Sequence, residues 1–531
     1  MNRSHILRAS LVAASLVAGL TACDNDKLTS VNVNPNAPET VSSASLFTNA
    51  TVGSMSALRG STFEHGTSGV WVQHYSEIQY PEDDLNEPRP STIELYWTIF
   101  YAGTITGATT GSLQDYNQIL LQSADRPNIV GPTLVMRSFL TQSMTDMWGD
   151  MPFSEAGKAL PQLGGNLTPK YDTQAAIYDS IFVMLKQAAS IMVPSTDQNS
   201  LLFTRFGSAD PVYGHNGEDA TTEAAQWVKL ANTLRARAAM RISDVEPAKA
   251  KAELLDALAN PVFTSNADNA FMNWPGGTVA NPLCLNWIDM NCGGTRDDQR
   301  LTDRLIDTLK VNADPRLAKY AEPTGSSTGT DTGCDLTYRG YPNGHAQPDV
   351  INPCDPDQNP FGLSDFSRPT RSIREASSPS YIMTYSELLF IKAEAAAKGW
   401  IAGSAAQFYN DAITASMEQW GVSSTDISAY LARPSVQFKG GAQGIEQIAY
   451  EKWISLFNLE SEAWAEWRRL DYPILVPGPD ASTATVPTRL PYPDIESSLN
   501  ATNLAAAQAA QGGVANTTIE GRVWWDTKAQ P

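Results

Sequence analysis

Residues 379–422 read PSYIMTYSELLFIKAEAAAKGWIAGSAAQFYNDAITASMEQWGV, and their spacing decides the fold class. Apolar residues fall at Tyr385, Leu388, Leu389, Ala393, Ala396, Ala397 and Trp400, then at Ala405, Phe408, Tyr409, Ala412, Ile413 and Trp420. Each series keeps close to the α-helical period, which predicts two amphipathic helices. Thr384-x-x-Glu387 and Ser404-x-x-Gln407 have capping-box spacing, so each helix start can satisfy its free N–H groups locally. Gly399, Gly403 and Gly421 supply the stops. Glu394 and Lys398, four apart in the favourable order, are expected on the exposed side. The product is an αα-hairpin, and a scaffold of helical hairpins is the fold that follows.

The chain has 531 residues and a formal net charge of −20. Its length alone allows two or more domains. Acid in that excess argues against nucleic-acid binding and against a polybasic membrane contact. At the start, Arg3, His5 and Arg8 precede an apolar run from Leu11 to Leu20, too short to cross a bilayer, followed by Leu20-Thr21-Ala22-Cys23. This resembles a bacterial lipoprotein signal, which implies cleavage after residue 22 and acylation of Cys23. Several acyl chains would anchor the protein firmly, since one chain alone binds a membrane only marginally. Residues 23–45 are polar and rich in Asn, Pro and Ser, as in a tether. Cys284, Cys292, Cys334 and Cys354 remain, an even number in an exported chain, which predicts two disulfides. Short loops favour 284–292 with 334–354, among three possible pairings. Zinc is the weaker reading because no Cys-x2-Cys spacing is present.

Helical patterns cover about 45–59, 64–77, 91–123, 128–147, 173–192, 222–243, 247–259, the opening pair, 443–457 and 461–469. Between about 261 and 378 the pattern changes to Gly, Pro, Asn and Asp with no convincing long helix. A loop region that long in a compact protein is functional or has short strands of its own, and it reads here as an excursion pinned by disulfides. A second irregular stretch runs from Asp471 to about Glu496. The tail Val523-Trp524-Trp525-Asp526 is expected to dock, because two adjacent tryptophans are poorly suited to a free terminus.

Catalytic signatures are lacking: there is no Gly-x-Ser-x-Gly, His-Glu-x-x-His, phosphate loop or dinucleotide fingerprint. His65 and His74 lie nine apart, off one helical face, so no metal site is expected from them. Asp146, Asp150 and Glu155 could pair as acid and base, but bracing a helix end beside Gly149 and Pro152 is the plainer reading. Arg468 and Arg469 are expected to pair with Glu462 and Glu466 rather than with an anionic ligand. Asp355-Pro-Asp357-Gln-Asn359 imitates half a calcium loop, yet Pro360 and Phe366 stand where its Gly and Glu belong, so a plain turn is expected. No cofactor is predicted. Aromatic side chains can stack on a sugar face at modest entropic cost. The candidates for ligand contact are Trp71, Tyr75 and Tyr80, which run from a helix into an acidic loop, and Trp274 and Trp287 in the excursion. Trp97 and Tyr101 read as core.

Several stretches together resemble the SusD/RagB family of nutrient-binding outer-membrane lipoproteins, especially its SusD-like 2 branch. They are Asn34-Pro35-Asn36, Asp146-Met-Trp-Gly-Asp-Met-Pro-Phe-Ser-Glu-Ala156, Trp227 to Arg237, Ser367-Arg-Pro369, Met383 to Ala396, Trp464 to Arg469, Leu490-Pro-Tyr-Pro493 and the terminal Val-Trp-Trp-Asp. The resemblance implies a mainly α fold of four TPR-like helix pairs against a more irregular portion. Ala405-x3-Tyr409 matches one piece of the TPR pattern. It also implies display on the cell exterior and pairing with a SusC-like TonB-dependent transporter. The expected organisation is a signal at 1–22, a tether at 23–45 and one helical domain from 46 to 531. The expected role is capture of an oligosaccharide or peptide for that transporter. The alternatives are a glycoside hydrolase, whose paired carboxylates need leave no local motif, and an assembly lipoprotein that binds only protein.

Overall fold

Both capping signals of the 379–422 stretch are used. Thr384 Oγ1 accepts the Glu387 N–H at 3.3 Å and opens helix Tyr385–Ala397; Ser404 Oγ accepts the Gln407 N–H at 3.3 Å and opens Ala405–Gln419. The computed structural model describes residues 41–528 apart from 103–112, 159–163, 215–216, 218, 325–336, 347–365, 514 and 516–517. Cys23, expected to carry the lipid anchor, most of the expected tether, Cys334, Cys354 and the 355–359 stretch lie outside the described residues.

Among the described residues, the α-helices of eight residues or more are α1 Ser43–Leu58, α2 Pro90–Ala102, α3 Leu113–Gln122, α4 Pro127–Trp148, α5 Gln174–Ile191, α6 Ala220–Arg241 and α7 Pro247–Leu258. They continue with α8 Asp303–Val311, α9 Tyr385–Ala397, α10 Ala405–Gln419, α11 Ser424–Leu431, α12 Gly441–Ser455, α13 Glu460–Leu470 and α14 Ala501–Ala510. Helix pairs α4/α5, α6/α7, α9/α10 and α12/α13 pack as consecutive units, with α5 also against α6 and α9 against α12. The fold is the mainly α, hairpin-built one that the opening stretch predicts, and residues 43–531 form one compact unit.

Three short antiparallel ribbons tie the irregular segments to the helices. They are β1 Tyr75–Glu77 with β5 Gln299–Leu301, β2 Met151–Pro152 with β3 Tyr171–Asp172, and β4 Ala270–Met272 with β6 Ser380–Met383. The excursion therefore leaves on β4 and rejoins on β6, immediately before α9. The expected helix over 64–77 breaks up. A π-helical turn, Ser61–Ser68, and a short helix, Gly69–Trp71, give way at Gln73, whose φ is 57°, to β1. The excursion is also less irregular than expected, since it holds α8, and α14 follows the second irregular stretch.

Glu394 does not lie on the exposed side as its spacing with Lys398 predicts. It reaches Lys398 at 3.4 Å, but it is buried and takes a bidentate pair from Arg469 at 2.8 and 2.6 Å. A helix face that looks solvated by charge instead meets α13, which brings the opposite charge with it. Arg469 also pairs with Glu466 at 2.7 Å, and Lys452 of α12 joins Glu466 at 2.7 Å. Arg237 grips Glu387 at 2.7 and 2.6 Å, and Arg241 binds Asp146 at 3.1 Å and also Glu462. Glu462 is thus engaged from α6. Arg468 departs from the expected carboxylate pairing: it donates to the Asp146 and Thr488 carbonyls at 2.6 and 2.9 Å and lies 3.7 Å over the Trp464 ring. Buried ion pairs add little net stability, but each leaves an uncompensated charge if one partner goes, so they fix which helices may face one another.

Candidate functional site

Four of the five aromatic candidates are packed inside. Trp71 is buried with its Nε1 donating to the Asp83 carbonyl at 3.1 Å, and its ring lies 5.1 Å from Trp464. Tyr75 is stacked between His65 at 3.9 Å and Phe457 at 5.6 Å. Trp274, just past β4, is buried and donates to Ser380 Oγ of β6 at 2.9 Å. Trp287 packs with Cys284 and Met290 beneath the Arg374 guanidinium, 4.8 Å from its ring. None presents a face to solvent, because the ribbons that organise the excursion need large side chains to seal them to the helices. His65 and His74 are likewise buried, and burial pushes both imidazoles down to about 3. Among the described residues no group of three or more His, Cys, Asp or Glu is placed to hold a metal.

Tyr80 is the exception, 50 % exposed. The β1–β5 ribbon sets it there. Beyond Glu77, paired with Gln299, the Ile78 N–H reaches the Asp298 carbonyl at 2.7 Å, and the chain then turns out at Tyr80 with φ 57°. A tyrosine in the left-handed region costs roughly 1–2 kcal/mol, so something else must hold it. Asp84 folds the following loop back, accepting Glu77 N–H at 2.8 Å, Asn343 Nδ2 at 3.0 Å and the Ser76 hydroxyl. Asp83 accepts the Thr67 hydroxyl at 3.2 Å. Burial pushes both carboxyls up to about 6, and it raises Glu77 beside them with help from their charges. Non-glycine residues of positive φ are few among the described residues, and Gln73, Tyr80, Asn86 and Asn291 all lie on the segments that build this corner. Strain of that kind collects where a surface must be held in one shape.

Around Tyr80 the excursion and Arg89, next to α2, supply the remaining parts. The Arg296 guanidinium lies 4.8 Å from the ring centroid and that of Arg89 5.8 Å, and Arg89 Nη2 also donates to the Tyr80 carbonyl at 3.2 Å. The Arg296 carbonyl accepts the Ile288 N–H at 2.8 Å, which ties on the loop closed by the Cys284–Cys292 disulfide. That loop buries Trp287 and Met290 but leaves Leu285 and Ile288 52 % and 61 % exposed. Exposed Tyr80 with its two guanidiniums, and exposed Leu285 and Ile288 on the loop bonded to Arg296, make a ledge whose mix of apolar and donor groups suits a sugar ring or an extended peptide. The sequence singles out Tyr80 but not Arg89, Arg296, Leu285 or Ile288. The available signal is the 284–292 loop, which holds Leu285, Trp287, Ile288 and Met290 between its two cysteines.

A hollow of about 570 Å³ lies between α8 and the 474–479 strap and is lined by Asp303, Asp307, His345, Tyr450 and Val476 among others. It meets a second hollow of about 370 Å³ at Val311 and Tyr450. The Asp146, Asp150 and Glu155 group belongs to neither and braces structure. Asp146 accepts Tyr178 OH and Trp525 Nε1, Asp150 accepts the Gln174 N–H, and Glu155 accepts Asn166 Nδ2 and the Lys170 N–H.

Comparison with known proteins matches this architecture. The SusD-like 2 family model, described as starch-binding and associating with the outer membrane, covers residues 35–493. A solved structure of a chitin-binding protein is 30% identical, with TM-score 0.75 over 92% of this chain and 100% of that one. A SusD homolog from Bacteroides uniformis (23% identity, TM-score 0.73) and a chitin-binding SusD homolog from Flavobacterium johnsoniae (23%, TM-score 0.72) each cover 91% of this chain and 99% of their own, a likeness of fold. No curated protein matches the sequence. With the family model spanning most of its length and the helix pairs in place, the chain belongs to the SusD-like 2 family.

Proposed function

We propose that the protein is a non-catalytic glycan-capturing lipoprotein. It holds an oligosaccharide at the Tyr80 ledge and delivers it to a SusC-like TonB-dependent transporter, while acylated Cys23 and the following tether keep it on the outer membrane, facing the exterior. The observation that carries this reading is Tyr80 itself, half open to solvent on a strained backbone and flanked by two guanidiniums. A ring held in advance loses little entropy on binding, and its face can stack on the C–H face of a sugar. Guanidinium N–H groups at the edge can meet ring oxygens. The starch-binding description of the family and the chitin-binding relative support glycan over peptide as the ligand.

Calorimetry against neutral oligosaccharides tests it. Saturable binding is expected without release of products, with at least about a tenfold loss for Tyr80→Ala. Unchanged affinity in that variant moves the site to the hollow beside α8, and turnover of the glycan makes the protein an enzyme. Protease treatment of intact cells is expected to cut the protein; a chain left whole overturns exterior display.

A further inference from the structure

We infer that the ledge takes an acidic oligosaccharide, one carrying carboxylate or sulfate groups, an inference that rests on the glycan-binding reading above and narrows it. The chain as a whole has 57 acidic residues against 37 Lys and Arg, yet arginines gather behind this ledge. Three guanidiniums converge on the single carboxylate of Asp289: Arg374 at 2.8 Å, Arg368 at 3.4 Å and Arg371 at 3.7 Å. Asp289 directly follows Ile288, the ledge residue bonded to the Arg296 carbonyl, and Arg368 also reaches Asp297, the residue after Arg296, at 2.9 Å. The arginines are thus linked to the Tyr80 corner by ion pairs to Asp289 and Asp297, which directly follow Ile288 and Arg296 in the chain.

Their contacts differ in a way that assigns roles. Arg374 is fully buried, saturates its fork with Asp289 and with Glu322 at 2.8 Å, and lies over Trp287; it is structural. Arg371 approaches Asp289 at a distance too long for a hydrogen bond and is 55% exposed. Arg296 is 48% exposed and meets Asp298 at 3.3 Å. These two forks can turn to a ligand at small cost, since exposed pairs of this kind are worth about 0–1 kcal/mol. A planar guanidinium binds a carboxylate or sulfate through paired hydrogen bonds that a neutral sugar hydroxyl cannot match. Asp289, Asp297 and Asp298 sit among these arginines, so selection of an anion rests on the paired hydrogen bonds that the Arg371 and Arg296 forks can turn to it, while carboxylates beyond about 8–10 Å are screened.

The test is calorimetry on the mature chain with three probes: a short oligogalacturonate, a short sulfated oligosaccharide and a neutral chitooligosaccharide. At least one acidic probe is expected to bind about tenfold more tightly than the neutral one at low salt and to lose most of that margin near 1 M salt, where the screening length falls to about 3 Å. Which acidic probe binds separates carboxylate from sulfate. Arg371→Gln is expected to weaken the acidic ligand about fivefold with neutral binding unchanged, Arg296→Gln to weaken the acidic ligand more than the neutral one, and Arg371→Lys to keep the salt dependence. Equal, salt-independent binding of acidic and neutral probes overturns this inference and leaves glycan capture standing. Binding of none of the three by the folded protein overturns the reading on which it rests.

Discussion

Tyr80 shows how a single residue can be costly to the fold and useful to it. Its left-handed backbone disfavours any side chain but glycine, while its ring is the most open aromatic face on the ledge. Tyr80→Gly should therefore leave the unfolding free energy within about 1 kcal/mol of the parent, because relieved strain offsets the greater freedom of the unfolded chain. The same variant should lose glycan affinity as Tyr80→Ala does. A large fall in thermal midpoint would mean that the ring serves packing, and the ledge reading would fail. Arg469 is the opposite case, a residue with no surface role that bridges α13 to Glu394 of α9. Arg469→Ala leaves two buried carboxylates, Glu394 and Glu466, short of their partner, and should cost about 3–5 kcal/mol in urea denaturation. A change below 1 kcal/mol would show the network to be dispensable.

At the scale of elements, the loop from Ser76 to Glu87 is held down by carboxyls that burial has made reluctant to ionise. Asp83 and Asp84 titrate near 6 when folded, against an ordinary value of 3.8. Between those values the folded state holds protons that the open state releases, so their contribution is greatest in acid and is lost as pH rises through about 6. Hydrogen exchange should show the amides of Glu77, Leu85 and Glu87 less protected at pH 8 than at pH 5, after correction for intrinsic rates, with an open population at least about tenfold larger. Protection independent of pH would place the restraint elsewhere.

The same loop marks where sequence reading stops. The helices could be read because a 3.6-residue period and a cap are properties of a single segment, as at Thr384 and Ser404. The ribbon could not, since Tyr75–Glu77 pairs with residues more than two hundred positions away, and nothing local distinguishes its aromatics from ligand-binding ones. Trp71, Tyr75, Trp274 and Trp287 were attractive candidates for the very reason that buries them: large flat side chains seal short strands as readily as they bind sugars. Glu394 was misread for a related cause, because its partner Arg469 arrives from another helix pair.

Across the whole molecule, the C-terminal tail joins elements far apart in the chain. Val523 and Trp525 are buried, Trp525 Nε1 donates to Asp146 at 2.8 Å, and the guanidiniums of Arg241 and Arg468 lie 5.2 and 4.9 Å from its ring. Lys528 then meets Asp244 at 2.8 Å and the Arg469 carbonyl at 3.0 Å. The last residues thus touch α4, α6 and α13 together, all members of the ion network. If that network makes the helix pairs one cooperative body, Trp525→Ala should lower the stability of the entire domain by about 3–5 kcal/mol, with one unfolding transition retained. Trp525→Phe, which keeps much of the ring and loses the N–H, should cost less, about 1–3 kcal/mol. Intrinsic fluorescence and far-ultraviolet circular dichroism followed through the same urea series decide it. Coincident, shifted curves fit a tail that closes the structure; an unchanged midpoint with only local loss of tail protection would make it an appendage.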